Sequence, residues 1–134
     1  MSPEGPQVQP CDVLIVDDQA FHRDMVSEML RVKGIRVTCV ASGEQAIALY
    51  NELEEKPVIL MDNQMPNMSG VEATRAIKSF YPAAKVIFVS SDLGSREEAL
   101  EAGALGFVAK PFKVAEVLAA VKWALAYKVP DAPA

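Results

Sequence analysis

No stretch of this chain is apolar for more than about five residues, far short of the ~20 needed to span a bilayer, and no basic segment followed by an apolar one opens it. A cytoplasmic protein is therefore expected. Lysine and arginine never cluster, and with 13 of them against 18 acids the net charge is −5. Direct binding to nucleic acid or to an anionic membrane lacks the positive footprint it requires, which leaves proteins as the expected partners. Cysteine is scarce: Cys11 and Cys39 stand apart, without CxxC spacing or a neighbouring histidine. They read as reduced structural thiols rather than metal or redox groups.

What is present is an alternation of short apolar runs with helical patterns across 134 residues, enough for one domain that buries roughly two thirds of its unfolded surface. Such alternation predicts an α/β fold, a parallel sheet with helices on both faces. Strands are expected at Asp12 to Val16, Ile35 to Val40, Val58 to Met61, Lys85 to Val89 and Leu105 to Ala109. The first, third and fourth have unbroken apolar centres, as strands buried on both faces do. The second alternates Ile35, Val37 and Cys39 with Arg36 and Thr38, which suggests a sheet edge. The doubly wound, flavodoxin-like order 2-1-3-4-5 satisfies these constraints. Three serines precede Glu or Gln by three residues, Ser42/Gln45, Ser69/Glu72 and Ser95/Glu98, so three helices are expected to start with a capping box. The first helix, about Ala20 to Lys33, packs Met25, Val26, Met29 and Leu30 and stops at Gly34. In the last, Lys113 to about Tyr127, Val114, Val117, Leu118, Val121 and Leu125 form one stripe, expected to face the core. Prolines at 3, 6 and 10, and the ending Pro-Asp-Ala-Pro-Ala, predict loose tails over residues 1–10 and 129–134.

The chemistry gathers where strands end. Asp17 and Asp18 follow the first strand and Asp62 the third, so in this topology three carboxylates converge at the crevice where the connection reverses. Unit charges ~4 Å apart repel by about 4 kcal/mol at an effective dielectric near 20, and a divalent cation offsets this. Incomplete, hydrated oxygen ligation suits Mg²⁺. Ser90 ends the fourth strand and Lys110 follows the fifth, where a hydroxyl and an ammonium can meet an anion on Asp62. Taken singly, the acid pair reads as a helix cap, Lys110 as a solvated lysine and Ser90 as a loop hydroxyl. At four strand ends of one sheet, they fit phosphoryl transfer to a carboxylate.

Those residues sit in motifs: Asp17-Asp18, the run from Asp62-Asn63-Gln64-Met65-Pro66 to Gly70, Val89-Ser90-Ser91, and the run from Ala102-Gly103-Ala104 to Lys110-Pro111-Phe112. Together they closely resemble the receiver domain of two-component response regulators, over about Asp12 to Tyr127 of a domain placed at residues 11–128. The resemblance implies that Asp62 accepts a phosphoryl group from a sensor histidine kinase or a histidine phosphotransfer protein. It also implies Mg²⁺ on Asp17, Asp18, Asp62 and the carbonyl of Gln64, a switch made of Ser90 and Phe107, a phosphate contact at Lys110, and a cis Lys110-Pro111 bond. Phe107 lacks the hydroxyl of the tyrosine common at that position, and Ser91 stands where a smaller residue is usual. Gln64 and Asp92, two residues beyond Asp62 and Ser90, border the path of hydrolytic water and are expected to set the phosphoryl lifetime. His22 reads as an ordinary helix residue near the site rather than a phosphoryl donor, and Met61, Met65 and Met68 as packing.

Receivers commonly signal through their fourth helix, fifth strand and fifth helix. Trp123, about 180° from Val114 around the last helix, lies with Tyr127 near that face, a candidate surface for a downstream protein or a homodimer. The alternative is a Trp lying flat over its own helix. Competing functions are less well matched. An aspartyl-phosphate-forming phosphohydrolase of the haloacid dehalogenase type needs a second Asp where Gln64 stands, and a flavin or nucleotide module needs a glycine-rich loop where Asp17-Asp18-Gln19 stands. The expected protein is a signalling phosphoacceptor that acts only on its own phosphoryl group. It stands alone or is the receiver of a larger regulator or hybrid kinase.

Overall fold

Four consecutive apolar residues leave a strand no wet face, and β1 (Val13–Val16) and β3 (Val58–Met61) are buried along their whole length. In the computed structural model, which describes residues 9–130, they form the centre of a five-stranded parallel sheet of order β2-β1-β3-β4-β5. β2 (Val37–Val40) is one edge, as its alternation predicted, and β5 (Gly106–Ala109) the other, beside β4 (Val86–Ser90). Side-chain alternation sends Val13 and Ile15 to one face and Leu14 and Val16 to the other. The first face is covered by α1 (Ala20–Val32) and α5 (Val114–Ala126), through Val26, Leu30, Val117 and Val121. The second is covered by α2 (Gly43–Glu52), α3 (Gly70–Phe80) and the short α4 (Arg96–Glu101), through Tyr50, Ile77 and Ala99.

The expected strands begin or end a residue or two away from the observed ones. The β1–β2 ladder starts at Val13 and Val37, because Arg36 turns its side chain and its N–H to the Asp12 carboxylate. Helix α1 closes as its glycine required. Gly34 has φ 79°, its N–H bonds to the Arg31 carbonyl, and that of Ile35 to the Leu30 carbonyl. Met25 is 38% exposed, so Val26 and Leu30 carry the burial with Met29 half in.

Two expectations are corrected. The α5 stripe is shorter than predicted: Val117 and Val121 are fully buried and Leu118 partly, but Val114 is 49% and Leu125 41% exposed, and Ala124 is buried instead. The buried arc of the helix runs through Val117, Val121 and Ala124, and Val114 and Leu125 lie to one side of it. The Ser95/Glu98 box does not form. A 3-10 turn, Leu93–Ser95, precedes α4; the Ser95 hydroxyl donates to the Asp92 carbonyl, and the Asp92 carboxylate accepts from the Gly94 N–H. The Ser69/Glu72 box is complete. At α2, Ser42 accepts from the Gln45 N–H while the Gln45 amide accepts from Ala41. Of the tails, residues 1–8 and 131–134 lie outside the described residues, and residues 9–10 and 129–130 form neither helix nor strand. No helix among the described residues is long and apolar enough to cross a membrane, and both cysteines are free thiols.

Candidate functional site

Register carries the acidic residues to one place. Val16 pairs with Met61, so Asp17 and Asp62 are the next residues out of neighbouring strands. The Asp62 N–H still bonds to the Val16 carbonyl, and the Asp17 N–H to that of Val40. Asp17, Asp18 and Asp62 each offer a carboxylate oxygen within 4.8 Å of the others. On the other side Ser90 pairs with Ala109, and the Lys110 N–H bonds to the Ser90 carbonyl. The Lys110-Pro111 bond that follows is cis.

The ammonium of Lys110 reaches back over the sheet edge to Asp62 Oδ1 at 3.4 Å and Asp17 Oδ2 at 3.6 Å. One cation faces three acids. Burial pushes the Asp62 carboxyl above the usual aspartate range, Lys110 pulls it back, and Asp17 and Asp18 push the same way as burial. A cavity of about 480 Å³, whose walls include Met25, Val26, Leu60 and Val117, reaches Asp62 and Lys110. Asp18 Oδ1 is buried with no hydrogen-bond partner in the protein. A buried, orphaned carboxylate oxygen beside two more carboxylates is a donor set that fits a hard divalent cation.

Loops hold the remaining predicted residues around this centre. Ser90 is fully buried, and its hydroxyl accepts from the Asp92 N–H at 3.1 Å. The Gln64 side chain is exposed and meets the Ser91 hydroxyl only at 3.5 Å, while the Asp92 carboxylate is turned away to cap the 3-10 turn. Phe107 is half-buried against the α2–α3 side of the core. Trp123 and Tyr127 are not part of this centre. Trp123 is 50% exposed on the outside of α5 and stacks on Tyr127, with ring centroids 5.0 Å apart and planes inclined by 27°.

Several residues take part in ways that the sequence reading did not assign. Asn63 accepts from the Val71 N–H, which ties the loop after Asp62 to the start of α3. A Cβ on Gly70 would lie 2.4 Å from the Asp62 carbonyl, so only glycine lets α3 start this close. Arg23 donates to the Asp17 carbonyl at 2.7 Å. His22 is more than a bystander: its Nδ1 lies 3.4 Å from both Lys110 Nζ and Asp17 Oδ2. Its first-turn position beside an acid pair was the only available signal.

Comparison with known proteins now places the chain. Residues 13–122 match the profile of the family described as response regulator receiver domain. The chemotaxis protein CheY of Thermotoga maritima is 39% identical over 113 residues, covering 81% of this chain and 92% of the relative. Among solved structures, the receiver domain of a sensor histidine kinase from Pseudomonas aeruginosa PAO1, with a magnesium ion coordinated in its active-site cleft, is 32% identical. It superimposes with a TM-score of 0.80 over 89% of this chain and all of that one. Chemotaxis protein CheY4 of Vibrio cholerae is 31% identical with a TM-score of 0.75, over 82% and 94% of the two chains.

Proposed function

The chain belongs to the response regulator receiver domain family, and from that premise we propose that Asp62 accepts a phosphoryl group from the phosphohistidine of a sensor histidine kinase or histidine phosphotransfer protein. A carboxylate oxygen of Asp62 bonds to phosphorus as the P–N bond of the donor breaks, and the electron pair leaves with the imidazole nitrogen, which takes up a proton. The protein is a switch rather than a turnover enzyme, acting only on its own phosphoryl group.

Asp17, Asp18, Asp62 and the Gln64 carbonyl would hold Mg²⁺, which supplies electrostatic stabilisation of the phosphoryl oxygens. Lys110, already 3.4 Å from Asp62, supplies the second positive charge. Ser90 exchanges its contact with the Asp92 N–H for the phosphoryl group, and Phe107 moves with it. Gln64 and Asp92 govern water access and hence the lifetime of the acyl phosphate. The output face comprises α4, β5 and α5, with Phe107, Trp123 and Tyr127, and meets a downstream protein or a second copy of the chain. A phosphorylation-dependent shift between two arrangements of that face follows.

The observation that carries this reading is the buried carboxylate of Asp62 with a lysine on one side and two further acids, one oxygen of them orphaned, on the other. Incubation with acetyl phosphate and Mg²⁺ should add about 80 Da by intact mass, and Asp62→Ala should abolish the adduct. An adduct that survives Asp62→Ala sinks the mechanism. For the output face, Trp123→Ala should weaken self-association or capture of a downstream protein. If both are unchanged, that surface is wrongly assigned.

A further inference from the structure

The Lys110 ammonium has three N–H donors and three neighbours at similar range: Asp62 Oδ1 at 3.4 Å, His22 Nδ1 at 3.4 Å and Asp17 Oδ2 at 3.6 Å. Two of the three are carboxylates and one is an imidazole from a different element, the first turn of α1. An ammonium is a donor only, so any hydrogen bond between Lys110 and His22 has Nδ1 accepting and the ring proton on Nε2. The competing arrangement puts the proton on Nδ1 and points it at Asp17 Oδ2, also 3.4 Å away. Only the first gives Lys110 a second hydrogen-bond acceptor beside Asp62, its 3.6 Å contact with Asp17 being an ion pair without a hydrogen bond.

We propose that His22 is a positioning residue for phosphoryl transfer: its Nδ1 accepts a hydrogen bond from Lys110 and holds the ammonium beside Asp62. This rests on the reading of Asp62 as phosphoacceptor. An acyl phosphate needs Lys110 to exchange a carboxylate oxygen for a phosphoryl oxygen without leaving the site. An imidazole nitrogen can hold the ammonium through that exchange without adding a further carboxylate next to the incoming phosphoryl group. His22 keeps 28% of its side chain exposed and lines the same cavity as Asp62 and Lys110.

The test uses the full chain and the geometry of substitution. Asparagine carries its amide oxygen about where histidine carries Nδ1, glutamine about where it carries Nε2, and leucine offers no acceptor. With phosphoramidate and Mg²⁺ as probe, His22→Leu and His22→Gln should lower the rate of adduct formation about tenfold, while His22→Asn retains most of it. A nitrogen correlation spectrum of the wild-type ring, taken above the ordinary imidazole titration range, should show the proton on Nε2. The proposal is overturned by a proton on Nδ1, by a wild-type rate in His22→Leu, or by His22→Asn as slow as His22→Leu. Absence of any adduct in the wild type would count against the phosphoacceptor reading instead, and the ring spectrum would still decide the role of His22.

Discussion

Asp18 holds the least satisfied oxygen of the site, buried and without a partner, and its substitution separates two effects that the carboxylate cluster combines. Bringing like charges within 4.8 Å of one another opposes folding, since one lysine cannot neutralise three acids. Asp18→Asn should therefore raise thermal stability in the absence of divalent cations, by about 1 kcal/mol, and lower Mg²⁺ affinity at least tenfold. Calorimetric titration and a melting curve with and without Mg²⁺ read both. Tighter Mg²⁺ binding in the variant would remove Asp18 from the ligand set. At this scale Asp17, Asp18, Asp62, Ser90 and Lys110 were all visible in the chain as polar residues terminating apolar runs. His22 and Asn63 were not, because nothing in a helix's first turn or a loop amide announces which distant atom it meets.

Among the elements, the three serine caps provide an internal control. Ser69 and Glu72 satisfy each other's backbone N–H groups at the start of α3, which also anchors the Asp62 loop through Asn63. Ser69→Ala should cost about 1 kcal/mol. At Ser95 the same sequence pattern makes no cap, because the preceding chain closes a 3-10 turn on Asp92 and the hydroxyl is drawn to the Asp92 carbonyl. Ser95→Ala removes a turn contact instead, so combined with Ser90→Ala the loss should be smaller than the sum of the two single losses, since the Ser90 hydroxyl accepts from the Asp92 N–H in the same turn. A double-mutant cycle on urea midpoints reads the coupling. Helix α5 shows the same limit of local pattern: Val114 and Leu125 share the periodicity of Val117 and Val121, yet the buried arc turns towards Ala124 and leaves them to one side. Its C-terminal end is held by Lys85, at the start of β4, which donates to the Ala124 and Tyr127 carbonyls.

For the whole molecule, two groups outside the site add to its response to pH. Tyr50, on the buried face of α2, is 2% exposed, and burial pushes its phenol up to about 12, with Tyr81 adding to the shift. Tyrosines of the unfolded chain ionise near 10, so the unfolded state loses this proton first. The stability tied to neutral Tyr50 is complete below about pH 10 and is lost as pH rises towards about 12. Tyr50→Phe should flatten the alkaline fall of the melting temperature, and an unchanged alkaline slope would assign that fall to other groups. At the acid end, hydrogen bonds from Arg36 hold the Asp12 carboxyl below its usual range. Its contribution is present above the ordinary aspartate range and lost as pH falls through the folded value.

By itself the sequence determined the sheet, its strand order and which polar residues end its strands. Unbroken apolar runs can form only doubly covered strands, a parallel sheet of this order brings its carboxyl ends to one crevice, and acids or lysines at those ends have few other uses. Tertiary structure alone decided the reach of each side chain: that Lys110 touches Asp17 as well as Asp62, that His22 joins them, that Asp92 caps a turn, and that Trp123 lies on Tyr127. Local pattern reports which face a residue prefers. Contacts between residues 88 positions apart, as His22 and Lys110 are, depend on how whole elements settle against one another, and no local pattern encodes that distance.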